Sequence, residues 1–237
     1  LLIIVDTHKK SYLVEPEMMD NFEKVVVIDH HRRGPEFIDN SVLTYHEIYA
    51  SSASELVAEI LMYTDGIQID SNEAECIYAG LVVDTKNFMF KTGVRTFEVA
   101  AYLKKFGIDV AEIKLLFQND FDTYVAKVDI VKNAEFIKDK IAISVSRATH
   151  DDMPIIAAQA ADELLSISGI QASFVLCKVD DVVMISGRSM GDINVQTILE
   201  KIGGGGHLTF AGAQIAGVSL AKAKERLLES IEAYLSK

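Results

Sequence analysis

Two short apolar runs set the grammar of the first half of the chain. Residues 1–5 are all aliphatic and end at Asp6; residues 24–28, built on Val25, Val26 and Val27, end at Asp29. Unbroken β-branched runs of this length predict strands covered on both faces, as in a parallel sheet flanked by helices. Helical periodicity follows. Ser52 and Glu55 stand at capping-box spacing before Leu56, Val57, Ile60 and Leu61. A second helix starts near Asp70, with Ala74, Ile77, Tyr78 and Leu81 as its stripe, and runs to about Asp84; Leu81, Val82 and Val83 alone also fit a strand. Residues 96–106 form a third helix, stopped by Gly107.

Residues 111–132 place Ile113, Leu116, Phe117, Tyr124, Val128 and Val131 at helical spacing with no Gly or Pro. That predicts a stiff helical connector. Beyond it the pattern changes. Residues 135–138 and 141–145 flank Asp139-Lys140, and residues 173–178 and 182–186 flank Asp180-Asp181, giving two hairpins. Pro154 fits the first turn of a helix over 152–168. A short helix over 195–202, a strand over 213–218 and an amphipathic helix capped by Ser219 close the chain. The expected plan is therefore α/β: a parallel-sheet domain over 1–110, the connector over 111–132, and a smaller α+β domain over 133–237. The chain opens inside an apolar strand and not on Met, so a fragment of a longer protein is expected.

Composition narrows the field. Of 237 residues, 49% are hydrophobic and 24% charged, which excludes a disordered, fibrous or coiled-coil protein. The net charge of −12 argues against binding long nucleic acid and suits metal ions or a small ligand. Cys76 and Cys177 have no CxxC spacing and read as buried, reduced thiols of a cytoplasmic protein. No apolar run reaches the ~18 residues of a membrane span.

The chemistry concentrates at the strand ends. Asp29-His30-His31-Arg32-Arg33-Gly34 directly follows the second apolar run. Ligands of open α/β sheets bind just beyond the carboxyl ends of strands. If the two strands are neighbours, Asp6, Asp29 and His30 converge, and Asp84 faces the packed side of its helix, where a carboxylate needs a partner such as a cation. Mixed carboxylate and imidazole donors suit Mn, Fe, Co or Zn over Mg or Ca. Arg32 and Arg33 can add contacts to phosphate. The competing reading makes each Asp a helix cap and leaves the histidines solvated. His8 can line the crevice or face water; His46 and His150 read as surface residues; Phe88, Met89 and Phe90 read as core, with base stacking as the alternative.

In the second half, residues 203–207 are four glycines and a histidine directly after a helix. Uncovered N–H groups at Gly204, Gly205 and Gly206 can form an anion nest, with His207 as a further donor; a plain turn is the alternative. Arg188 and Ser189, at the end of a predicted strand, supply a guanidinium and a hydroxyl. Arg188 also fits a surface charge, and Asn194 fits an N-cap.

These phrases together resemble the DHH/DHHA1 phosphoesterase family. The carriers are Asp6 in Val5-Asp6-Thr7-His8, the Asp29-His30-His31 triplet, Asp84 in the phrase over 79–85, and the loop over 203–207. The resemblance covers the whole chain in order. The phrases at 5–8, 28–34 and 49–52 are most similar to the GdpP-type cyclic-di-AMP phosphodiesterases of Gram-positive bacteria. The resemblance implies a DHH domain, lacking its N-terminal part, and a DHHA1 domain, with two Mn ions in a cleft. Asp6 would serve both metals, and His30 and Asp84 would ligate one. Asp29 would orient a histidine, and His31 would touch the scissile phosphate. Arg188, Ser189, Asn194, Gly204, Gly205, Gly206 and His207 would hold the nucleotide. A hydroxide activated between the metals would open cyclic di-AMP to linear pApA. A short linear dinucleotide is the alternative substrate, and a non-catalytic nucleotide-binding module the alternative role. The family's first motif, a His followed by Asp-x-Asp, lies upstream of the strand that opens this chain, so this stretch alone is expected to have a crippled metal site. The resemblance further implies the cytoplasmic part of a membrane-anchored protein, with no membrane contact of its own. The sequence does not fix the oligomeric state; a homodimer through exposed apolar surface is one expectation.

Overall fold

The structure is a computed structural model and describes residues 1–34, 36–148, 150 and 152–236. The chain forms two compact units of near-equal length, Leu1–Gln118 and Asn119–Lys237.

In the first unit, strands β1 (Leu2–Val5), β2 (Val25–Asp29) and β3 (Leu43–His46) form a parallel sheet in that order. The apolar run of β2 is explained by its neighbours. Val25 and Val27 pack with Ile4, Met19 and Ile38 on one face; Ile28, with Val26, meets Ala50 and Leu56 on the other. β1 departs from expectation. It is an edge strand, with Ile3 and Val5 about half exposed (54% and 50%), so only one of its faces is covered. Four helices follow: α1 (Ala53–Met62), α2 (Ser71–Asp84), α3 (Val94–Lys104) and α4 (Val110–Leu115). Asp70 and Glu73 cap α2 reciprocally, as the sequence pattern predicts (2.9 Å each). Ala58, Ala74, Leu81, Val99, Leu103, Ile108 and Ile113 form the helical core. Phe88 joins it against Tyr78 and Phe97, while Met89 is exposed. Cys76 is exposed on α2, against the expectation of two buried thiols.

The stretch over 111–132 is two helices, α4 and α5 (Phe121–Lys132), interrupted at 116–120. Asp120 starts the second by accepting the Thr123 N–H (2.9 Å). In the second unit β4 (Glu135–Ile137), β5 (Ile141–Val145), β6 (Ala172–Val179), β7 (Val182–Ser189), β8 (Gly205–Gly206) and β9 (Phe210–Ala216) form one mixed sheet in the order β4-β5-β6-β7-β9-β8. Helix α6 (Met153–Leu164) covers one face; α7 (Val195–Glu200) and α8 (Leu220–Leu235) cover the other. The two-residue period of β6 shows the division. Phe174 and Leu176 lie with Ile198, Leu199 and Leu227, whereas Val175 and Cys177 lie with Ile156, Ala160 and Leu164. Among the described residues, no helix is long and apolar enough to cross a membrane.

Candidate metal centre

The site starts from sheet register. β1 and β2 are neighbours, with Val5 opposite Ile28, so Asp6 and Asp29 leave adjacent strands at the same end. The Asp6 N–H still donates to the Ile28 carbonyl (3.0 Å). At Asp6 the backbone enters the left-handed region (φ 64°), which Asp tolerates better than most residues. Its side chain is 56% exposed. Asp29 is wholly buried. Its Oδ1 accepts the backbone N–H groups of His30 (2.9 Å) and His31 (3.2 Å) and the His31 ring Nδ1 (2.8 Å); its Oδ2 meets the His8 Nδ1. Three donors on Oδ1 and one on Oδ2 thus tie this carboxylate into the protein.

His30 is oriented by a relay from helix α1. Ser52 accepts the Glu55 N–H (3.0 Å), as capping predicts. The Glu55 carboxylate, however, turns to Ser51 and not to the Ser52 N–H: Oε2 accepts the Ser51 hydroxyl (2.6 Å) and the Thr96 hydroxyl (2.5 Å) in a buried pocket. This holds the 50–52 turn, and the Ala50 carbonyl there accepts the His30 Nδ1–H (3.3 Å). With that proton at Nδ1, the lone pair of the neutral ring is at Nε2. Nε2 lies 3.3 Å from Asp6 Oδ1 and 3.6 Å from Asp84 Oδ2. Asp84, the last residue of α2, is partly buried.

The ionisable groups of the site shift one another. Burial raises the Asp84 carboxyl above its ordinary value; His30 opposes this and Asp6 adds to it. The Asp29 hydrogen bond raises His31 above the usual imidazole value against the effect of burial. Burial alone would raise Asp29, but hydrogen bonds from His31 and His8 outweigh it and hold the carboxyl well below its usual range. Asp6, His30 and His31 present ligand atoms within 4.8 Å of one another, and Asp84 joins them through His30. Two carboxylates facing an imidazole lone pair fit a divalent transition metal.

The second unit brings fewer of the expected groups to a ligand. Arg188 on β7 pairs its Nε with Asp162 (3.2 Å), and its Nη1 donates to the Gly187 carbonyl (3.0 Å). Ser189 is buried and its hydroxyl accepts the Gly191 N–H (2.9 Å). Asn194 caps α7 through the Thr197 N–H (3.1 Å), so its amide oxygen is already engaged. The Gly-rich loop is also more structured than a free nest. The N–H groups of Gly203, Gly204 and His207 donate to Glu200, Leu199 and Phe210, and Gly205 and Gly206 pair with β9. Its glycines serve close approach: a Cβ on Gly206 (φ 148°) would lie 2.5 Å from the Phe210 carbonyl oxygen.

Sequence reasoning placed His46 on the surface; it ends β3 opposite Asp29, and its Nε2–H donates to the His31 carbonyl (2.6 Å). The signal for it was the apolar–polar alternation of Leu43-Thr44-Tyr45-His46, which runs for only four residues. His8 is buried in the same network. Lys91, passed over in sequence, lies near enough that its charge opposes the rise at Asp84. His150 accepts the Asp152 N–H (3.1 Å) in a local turn.

Comparison with known proteins extends this geometry. The cyclic-di-AMP phosphodiesterases PdeA of Listeria monocytogenes and GdpP of Bacillus subtilis are 44% and 43% identical over 99% of the chain, which spans 36% of the length of each. An exopolyphosphatase-related protein of Bacteroides fragilis shares the fold, with a TM-score of 0.84 at 22% identity over 98% of this chain and 71% of that one. Residues 1–81 match the DHH family, N-terminal domain, and residues 138–237 match the DHHA1 domain. With Asp6, the Asp29-His30-His31 turn and Asp84 gathered at the end of a parallel sheet, the chain belongs to the DHH/DHHA1 family.

Proposed function

We propose that this chain is the catalytic part of a Mn-dependent phosphodiesterase that hydrolyses cyclic di-AMP to linear pApA. The observation that carries the reading is the His30 Nε2 facing Asp6 and Asp84, beside a His31 held by a buried Asp29. Asp6, His30 and Asp84 are the residues that would hold divalent metal. When bound, divalent metal supplies an activated water and offsets charge on the phosphoryl oxygens.

The chain's own residues do the rest. Asp29 takes the His31 Nδ1–H (2.8 Å) and favours the charged ring, so Nε2–H can donate to a phosphate oxygen. His31 is half exposed and accessible to such a ligand (49%). Arg32, exposed in the same turn, adds positive charge for the phosphodiester; Arg33 stacks on Phe37 at 3.8 Å. Within the second unit, Arg188 and the loop of Gly204, Gly205, Gly206 and His207 are the candidate contacts to a nucleotide. The net charge of −12 favours a small dinucleotide over a long strand.

The test is Mn-dependent turnover of cyclic di-AMP and of a linear dinucleotide, on this chain and on one extended upstream, with His30→Ala and His31→Ala as controls. Turnover of the cyclic compound in the extended chain, lost in both controls, is expected. Faster turnover of the linear compound would assign the enzyme to short oligonucleotides. Binding of cyclic di-AMP without turnover in either chain would make this a nucleotide-binding module.

A further inference from the structure

We propose that His8 is a positioning residue that clamps the turn over 30–34, and that the His8–Asp29–His46 group is a hydrogen-bonded brace and not another metal site. The inference rests on the phosphodiesterase reading, because that turn carries His31 and Arg32.

The ring of His8 is used at both nitrogens. The Gly34 backbone N–H can only donate, and it points to His8 Nε2 (3.2 Å). Nε2 therefore carries the lone pair, and the proton is at Nδ1, where it is donated to Asp29 Oδ2. A single imidazole thus ties the carboxylate at the start of the turn to the backbone at its end. The His8 carbonyl adds a third tie by accepting the Ile38 N–H (2.8 Å). From the opposite side His46 Nε2–H holds the His31 carbonyl (2.6 Å), and the Glu47 N–H holds the Asp29 carbonyl (3.1 Å). The rings of His8 and His46 meet edge to face at 5.2 Å.

These bonds decide between brace and metal site. Three ligand-type side chains within 4.8 Å of one another satisfy a distance criterion for an ion. An ion also needs lone pairs aimed at a common point. His8 Nε2 is taken by Gly34, His46 Nε2 carries a proton, and both Asp29 oxygens already accept donors; the lone pair left at His46 Nδ1 is one ligand atom and does not make a site alone. His8 is only 5% exposed, so its loss would strand Asp29 Oδ2 without a donor inside the protein. The turn would lose its fixed geometry, and His31 with it. His30 would keep its own anchor on Ala50.

The first arm needs no turnover. Long-range 1H–15N spectra of the whole chain, labelled at histidine, should show His8 as the neutral Nδ1–H tautomer. Added Zn(II) should move the His30 Nε2 resonance and leave that of His8 in place. An Nε2–H tautomer at His8, or a His8 Nε2 shift on Zn(II) binding, overturns the proposal. The second arm compares His8→Ala with His8→Asn, whose amide restores a donor toward Asp29. His8→Ala should lower kcat for cyclic di-AMP by about tenfold or more, while the Mn(II) Kd, read by electron paramagnetic resonance, moves less than about threefold. His8→Asn should recover most of kcat. Loss of one bound Mn(II) per chain, or an unchanged kcat in His8→Ala, sinks the clamp. The second arm is run on the chain extended upstream; a wild type of that length with no turnover refutes the phosphodiesterase reading instead, and the spectra then decide the clamp alone.

Discussion

Replacing Ser51 by Ala tests the relay that orients His30. Its hydroxyl donates to Glu55 Oε2 at 2.6 Å, and both residues are buried. A buried hydrogen bond to a charged group contributes about 1.5–3 kcal/mol. We expect Ser51→Ala to destabilise the first unit by about 2 kcal/mol. With a urea m-value of about 1–3 kcal/mol/M, the midpoint should fall by roughly 1 M. The chain has no Trp, and six of its 8 Tyr (12, 45, 49, 63, 78 and 102) lie in the first unit, so tyrosine emission reports chiefly that unit. The Ala50 carbonyl should loosen together with Ser51, and Mn(II) affinity should fall by about tenfold. Thr96→Val is the control. It removes the second hydroxyl donor to Glu55 (2.5 Å) and should cost similar stability, but Ser51, through its hydroxyl and its backbone N–H (3.4 Å), still holds the turn and metal affinity should change little. A midpoint shift below about 0.3 M for Ser51→Ala, or equal loss of Mn(II) affinity in both variants, would refute the relay.

Three further outcomes are expected. Gly206→Ala should destabilise the second unit by about 2 kcal/mol or more, read by urea titration with circular dichroism, because the new methyl meets the Phe210 and Ala211 backbone at 2.5 Å in a left-handed conformation; a midpoint like the wild type's would contradict this close approach. Cys76 should react with a thiol reagent in the native protein and Cys177 only after unfolding, since burial pushes the Cys177 thiol up to about 11; two fast thiols in native buffer would contradict it. Arg95 binds Glu59 through Nε (2.6 Å) and Nη2 (2.5 Å) and lowers the Glu59 carboxyl. A lowered carboxyl stabilises the fold above its unfolded value of 4.5 and loses that contribution as pH falls through the folded value. The wild type should therefore exceed Arg95→Met by about 1 kcal/mol at pH 7, the modest size reflecting a half-exposed guanidinium, and the gap should close in acid; a gap that persists at pH 2 would rule this out.

The fold was legible wherever a short window held its own cause. Asp70 and Glu73, Ser219, and the two hairpins are local arrangements, and each stands where the pattern puts it. β1 and β3 show the opposite case. An aliphatic run has the same appearance whether one face is covered or two, so the exposure of Ile3 and Val5 could not be read from it. Leu43-Thr44-Tyr45-His46 does alternate apolar and polar positions, but over only four residues, too short a window to mark a strand by itself; pairing with β2 makes it one.

The site follows the same division. Asp6, the histidine pair and Asp84 were recognisable because each closes a predicted element. What joins them is the register of β1 on β2 together with one left-handed residue, Asp6, neither of which is written in any local stretch. The groups that sequence assigned no definite role, His8 and His46, belong to this non-local part. Each has its partners 15 or more positions away. A histidine with no local partner is therefore the weakest case for calling a residue solvated, since burial and long-range partners are what sequence cannot display. Glu55 makes the complementary point. Its position at capping spacing correctly placed the start of α1, but spacing does not choose between two acceptable donors. Thr96, brought in by α3, creates the buried pocket in which the carboxylate turns to Ser51, and that turn aims His30 at the two carboxylates.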